Sequence, residues 1–436
     1  MRRLLIIVGL AVALLVVGGV ALRPRGGPAG AGSPTAVEAG AADAASTVDQ
    51  VTRSIEAARK RLERVPGDWT TWAELGAAYV QQARVTGDPS NYPRAEEALN
   101  RSLQVRPDDN ALALTGLGAL AAARHDFAAA LDYGNRSLAI DSYKAATHGV
   151  VADALVELGR YPESLATIQR MVDLRPDTSS YARASYSFEL RGDVPNARDL
   201  MRRALEAGTG PADAAFALEH LAGLAFDNGD LATAKSHVDD GLRRFRDHPP
   251  LLALRGRIAA ARGDTAAAVA DYRAALAKLP QPTYAAELGD LLAASGDTAG
   301  AEQQYALVRA SAALLREQGV DVDAELSVFA ADHGDPAGAL KAAQAVYARR
   351  PSIFVADALA WALHGSGRDA EALPYADQAL KLGTRSASML FHRGAIKAAL
   401  GDRAGASADL SAALAQNPHF SVRYAPEANR LLAGVR

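Results

Sequence analysis

Apolar residues stand three and four apart along most of this chain, and nothing alternates with period two. Val48, Val51, Ile55, Ala58 and Leu62 form one such stripe, which predicts an amphipathic helix. Further on, the spacing falls into units that repeat. A glycine recurs at Gly159, Gly192, Gly229, Gly263, Gly296, Gly334, Gly367 and Gly401, in steps of 33 to 38 residues. Five residues after it comes a small side chain: Ser164, then Ala197, Ala234, Ala268, Ala301, Ala339, Ala372 and Ala406. Seven residues before it stand Gly256, Gly289 and Gly394, or Ala222 and Ala360. Small residues at both positions let two antiparallel helices approach closely. A period near 34 therefore predicts an all-α stack of helical hairpins.

Start, turn and stop signals agree with that register. The periodic glycine suits the residue just past a helix, where the left-handed conformation costs least without a Cβ. The next residue is usually an aspartate that can cap the following helix: Asp193, Asp230, Asp264, Asp297, Asp335 and Asp402. Pro107, Pro176, Pro280, Pro351 and Pro418 stop the second helix of their units.

These residues resemble the tetratricopeptide (TPR) repeat. The first full copy holds Trp72, Leu75, Gly76 and Tyr79, then Tyr92, Ala95, Leu99, Ser102 and Pro107. It carries about seven extra residues within Arg84 to Asn91, expected in the turn between its helices. The second copy has Leu117, Gly118, Phe127 and Ala130, with Ser142 in place of proline. The stretches Ala113–Gly118 and Asn417–Phe420 are similar to a bacterial group of TPR proteins with one N-terminal hydrophobic segment. The resemblance implies a TPR solenoid, a right-handed superhelix of about ten helix–turn–helix repeats.

The resulting organisation has five parts. Residues 1–22 form a transmembrane anchor or signal segment, 23–47 a flexible linker and 48–68 an N-terminal capping helix. Residues 69–421 hold the repeats, and 422–436 a C-terminal capping helix. The stretch from Leu4 to Leu22 is uninterrupted and apolar. At about 1.5 Å per residue it spans roughly 28 Å, near the hydrocarbon thickness of a bilayer. Arg2 and Arg3 flank one side, Arg23 and Arg25 the other, so charge alone sets no orientation. The expectation is a single-pass membrane protein with the solenoid outside the cytoplasm; the alternative is a secreted solenoid released by signal cleavage.

Net charge is −3 with no long run of either sign, which gives no nucleic-acid footprint. Cysteine is absent, so thiolate metal sites and disulfides are excluded. Nine histidines are scattered without a His-Glu-x-x-His pair, and no cofactor or metal is expected. Two Arg-Gly-Asp triplets, at 191–193 and 262–264, fall on the periodic turn and read as turns. Resemblance to the family implies that the first helix of each repeat lines an inner groove. The matching positions carry Phe216, Glu219, Phe226, Asp290, Phe354, Asp357, Trp361 and His364. Aromatics beside carboxylates there suit an extended peptide with apolar anchors and some positive charge. The lysine–asparagine clamp of some TPR modules does not carry over, because Ala73, Ala77, Thr115, Ala119 and Gly149 stand at its positions. The expected function is a non-enzymatic scaffold for a protein or peptide partner, or an accessory subunit of an envelope enzyme or transport complex.

Overall fold

The computed structural model describes residues 47–435; the expected anchor and, apart from Thr47, the expected linker lie outside them. The described chain is helical throughout. Helix Thr47–Arg64 comes first, burying Ile55, Ala58 and Leu62 against the first hairpin. Ten hairpins follow. The first five pair Trp69–Thr86 with Asn91–Val105, Ala111–Ala123 with Phe127–Ile140, Ala145–Glu157 with Tyr161–Leu174, Thr178–Glu189 with Val194–Glu206, and Pro211–Asp227 with Leu231–Arg244. The second five pair Pro249–Ala261 with Thr265–Lys278, Pro282–Ala294 with Thr298–Glu317, Asp323–Asp332 with Pro336–Arg349, Ile353–Gly365 with Asp369–Ala379, and Ala387–Ala399 with Arg403–Gln416. Helix Tyr424–Val435 closes the array. No helix among the described residues is long and apolar enough to cross a membrane.

The turn chemistry is as the sequence predicts. Asp193, Asp230, Asp264, Asp297, Asp335 and Asp402 each accept the backbone N–H three residues on. The small-residue pairs mark close helix crossings. A Cβ on Gly256 would lie 3.2 Å from the Ala268 carbonyl oxygen, and one on Gly289 would enter the Tyr305 ring. The extra residues of the first repeat do not all loop out. They extend its first helix to Thr86 and place Gly87 at a contact with a distant repeat.

That contact belongs to a seam the sequence did not predict. Gly87 packs on Leu279 and Pro280. In the second repeat's turn, the Asp321 N–H donates to the Arg124 carbonyl at 2.9 Å, and the Asp321 carbonyl lies 2.6 Å from His125 Nδ1. In the third, the Ile353 N–H donates to the Tyr161 hydroxyl at 2.7 Å. In the fourth, the Thr384 hydroxyl donates to the Leu190 carbonyl. In the fifth, Asn417 Nδ2 donates to the Phe226 carbonyl at 2.8 Å. The bonded residues lie 191 to 197 positions apart. Against a period near 34, one superhelical turn takes between five and six repeats. The hairpin turns of repeats one to five thus rest on the inter-repeat loops of the next turn.

So tight a winding buries two of the first helices almost all round. Every residue from Ile353 to Leu363 is buried, and so is every residue from Thr147 to Glu157. A helix enclosed on all sides loses its amphipathic stripe, and its sequence reads as apolar all round.

Candidate functional site

The groove positions are the natural place to look for a ligand. The structure buries most of them and divides them between two regions. Phe354 and Asp357 are 1% exposed and Trp361 8%. Phe216 and Phe226 are buried, while Glu219, Asp290 and His364 are partly so. The exposure that a peptide groove requires is missing at five of these eight residues.

The repeats bring Asp290, Asp357, Trp361 and His364 into one region. The Trp361 indole N–H donates to Asp332 at 2.9 Å. Its ring stacks on His392, with centroids 4.2 Å apart. His392 Nδ1 lies 3.0 Å from both carboxylate oxygens of Asp357. Asp290 accepts from the Tyr305 hydroxyl at 3.0 Å and pairs with His333 at 3.1 Å. His364 pairs with Asp369. Tyr424 at the start of the last helix also donates to Asp332 and stacks on Phe391 at 4.8 Å. Most polar groups of this cluster are therefore turned to a neighbour in the chain, although His392 Nε2 and Asp332 Oδ2 are buried without a hydrogen-bond partner.

Phe216, Glu219 and Phe226 lie elsewhere, in the fifth repeat. The Phe216 ring meets His220 edge-on at 4.3 Å, and the Arg257 guanidinium sits 4.9 Å above Phe226. Burial pushes the Glu219 carboxyl up to about 8, although the charges of Arg84 and Arg257 pull it down. Burial holds His220 down at about 3 and His248 at about 4, with a nearby positive charge adding to each. Sequence reasoning also missed a fully buried ion pair. Arg183 meets both oxygens of Asp153, at 2.9 and 2.7 Å, between consecutive first helices. The two residues stand 30 apart, close to the period, but nothing local to either marks the partner.

An open concavity does exist. A cleft of about 510 Å³ lies between the ends of the Pro249–Ala261 and Pro282–Ala294 helices and the segment from Pro418 to Asn429. Its lining includes Ala260, Leu291, Ala294, Val422 and Ala425, with Ser295 and His419 among its polar members. No group of three or more His, Cys, Asp or Glu side chains able to hold a metal occurs among the described residues.

Three stretches match the tetratricopeptide repeat family model: residues 80–145, 152–214 and 220–282. Over those stretches the chain is built of TPR repeats, and the same hairpin continues to Gln416. The fold and these repeats define the class as a tetratricopeptide-repeat solenoid. No catalytic domain is identified. No curated protein matches the chain. Among solved structures it is similar to TTC0263, a thermophilic TPR protein of Thermus thermophilus. Identity is 21% over 39% of this chain and 90% of that one, with a TM-score of 0.35. Pseudomonas aeruginosa pilF is 17% identical over 54% of this chain and 96% of that one, with a TM-score of 0.36. A human IFIT1 dimer with PPP-AAAA is 13% identical over 84% of this chain and 87% of that one, with a TM-score of 0.46.

Proposed function

We propose that this chain is a non-enzymatic interaction scaffold, held at a membrane by residues 4–22, that recruits a protein or peptide partner outside the cytoplasm. The general reading, a protein-binding scaffold, follows from the repeat class. The place of binding rests on one observation: five of the eight expected groove residues are buried, whereas the cleft beside the sixth and seventh repeats is open. Its small apolar walls suit one or two bulky apolar side chains of a partner, the usual anchors of a binding interface. Uninterrupted apolar sequence from Leu4 to Leu22 supports the tether.

The test uses the full-length chain in native membranes. Affinity capture followed by mass spectrometry identifies the partner. Ala294→Arg and Val422→Arg then fill the cleft from partly or fully exposed positions. Both should abolish capture and leave the melting temperature near wild type. Undiminished capture by both variants refutes the cleft. Release of the mature chain by a high-salt wash refutes the tether.

A further inference from the structure

The seam uses five of the ten hairpin turns. Of the other five, the eighth is touched from the C-terminal segment, where Arg423 donates to the Asp332 carbonyl at 2.7 Å. Turns one to five each rest on a loop of the following superhelical turn, as described above. The turn glycines of repeats six to ten are Gly263, Gly296, Gly334, Gly367 and Gly401. A Cβ built on any of them would meet no atom within 4 Å. The two groups are chemically alike. Arg191-Gly192-Asp193 is seated on Gly383 and Arg385, whereas the same triplet at 262–264 is bare. Turns of the first two bare repeats face the C-terminal segment across the cleft.

The opposite rim is the mirror case. Inter-repeat loops of the second half, such as Leu279-Pro280 and Pro351-Ser352, are seated. Those of the first half, such as Arg106-Pro107 and Arg175-Pro176, are exposed. Large apolar side chains stand out in solvent on both rims. Val65, Ile140 and Tyr143 lie at the first-half loops, with Tyr143 73% exposed. Leu400, 42% exposed, adjoins the bare turn at Gly401. Each rim thus carries one half of an interface that the chain already makes with itself.

We propose that these rims bind a second copy of this chain, head to tail, extending the seam between molecules. The occupant follows from continuity. The bare turns present what the seated turns present, and the bare loops present what the seated loops present. Such a contact joins two different surfaces. It is heterologous, so it generates open strings rather than a closed dimer. Within the chain the seam is helped by covalent connection; between chains it loses that effective concentration, so association should depend strongly on protein concentration.

Complementation tests this directly. Tyr143→Glu spoils one rim and Leu400→Glu the other, and both positions are exposed, so folding should be unaffected. The full-length chain in detergent is followed by sedimentation velocity, with circular dichroism confirming unchanged helix content. Wild type should form species that grow beyond a dimer as concentration rises. Each variant alone should stay monomeric, since its one good rim finds only spoiled rims. An equimolar mixture should form a dimer and stop there. Wild type that remains monomeric, or that stops at a dimer, overturns the proposal. A mixture that stays monomeric overturns it as well.

Discussion

Gly192 and Gly263 sit in identical triplets at equivalent turns, with φ of +72° and +81°. Alanine at either must adopt the left-handed conformation, which costs an L-residue about 1–2 kcal/mol. A stiffer unfolded chain returns about 0.4–1 kcal/mol of that. Gly263→Ala should therefore cost about 1 kcal/mol, because its Cβ meets no neighbour. At Gly192 a Cβ would overlap the Gly383 carbonyl oxygen, with Arg385 Cγ 3.3 Å away. A backbone carbonyl cannot swing aside like a side chain, so the seam must open locally. Overpacking of this kind costs about 1–3 kcal/mol. The Thr384 hydrogen bond to Leu190 is lost with it, at about 1 kcal/mol. Gly192→Ala should then cost about 3–5 kcal/mol in all.

Urea unfolding monitored by circular dichroism reads the difference as a shift in midpoint at constant slope. Hydrogen exchange locates it. Stability of a solenoid is close to a sum of local terms, so the loss should concentrate along the seam. Amides of Asp321 and Ile353, which donate across it, should exchange faster in Gly192→Ala and not in Gly263→Ala. Equal costs near 1 kcal/mol for both variants would mean that no seam forms in solution.

Other substitutions probe the inner face. Trp361→Ala should destabilise the fold by about 3–5 kcal/mol, as large-to-small core changes do, since Trp361 is 8% exposed and stacked on His392. Unchanged stability in thermal unfolding would return Trp361 to the list of free groove residues. Asp153→Ala strands a buried Arg183 and should cost about 3–5 kcal/mol, against about 0–1 kcal/mol for Asp132→Ala in an exposed pair with Arg136. Similar urea midpoints for the two would refute the difference. Glu219 titrates near 8 in the folded chain and near 4.5 unfolded, so the folded state holds the extra proton and its stability falls as pH rises between those values. Glu219→Gln should therefore gain on wild type from pH 5 to pH 8, by up to about 1.4 kcal/mol per unit at the steepest; a pH-independent difference in unfolding free energy would refute this.

What the sequence made legible was local. Capping aspartates, turn glycines and the small pairs at Gly256–Ala268 and Gly289–Ala301 each depend on residues within one hairpin. Their spacing is therefore visible as a period. The seam is not, because its partners stand 191 to 197 residues apart and several meet through backbone carbonyls. Any residue supplies a carbonyl, so Leu190 and Phe226 carry no mark of the contact. Seated and bare glycines look alike for the same reason: both need a positive φ, and only the seated ones also need an empty Cβ position. The groove expectation met a similar limit. Phe354, Asp357 and Trp361 occupy ligand-facing positions in a wide superhelix, but superhelix width is set by a small rotation accumulated over several repeats. No single repeat encodes that sum in a readable form.

The closed inner face also changes what its polar residues are for. Alanine-rich helix contacts are smooth, and smooth contacts resist neither sliding nor rotation as firmly as interlocked ones do. Directional pairs between consecutive first helices supply the missing constraint. Arg183 grips Asp153, His392 faces Asp357, and His333 meets Asp290, each pair bridging neighbouring repeats. Such buried pairs add little net stability, because desolvation offsets most of their attraction. Their geometry, however, admits only a narrow range of rotation between one repeat and the next. Rotation per repeat fixes the superhelical pitch, and pitch decides whether a turn at Gly192 arrives against Gly383. The aromatic and carboxylate positions that suggest a peptide groove thus act one level earlier, on the curvature that brings the rims together.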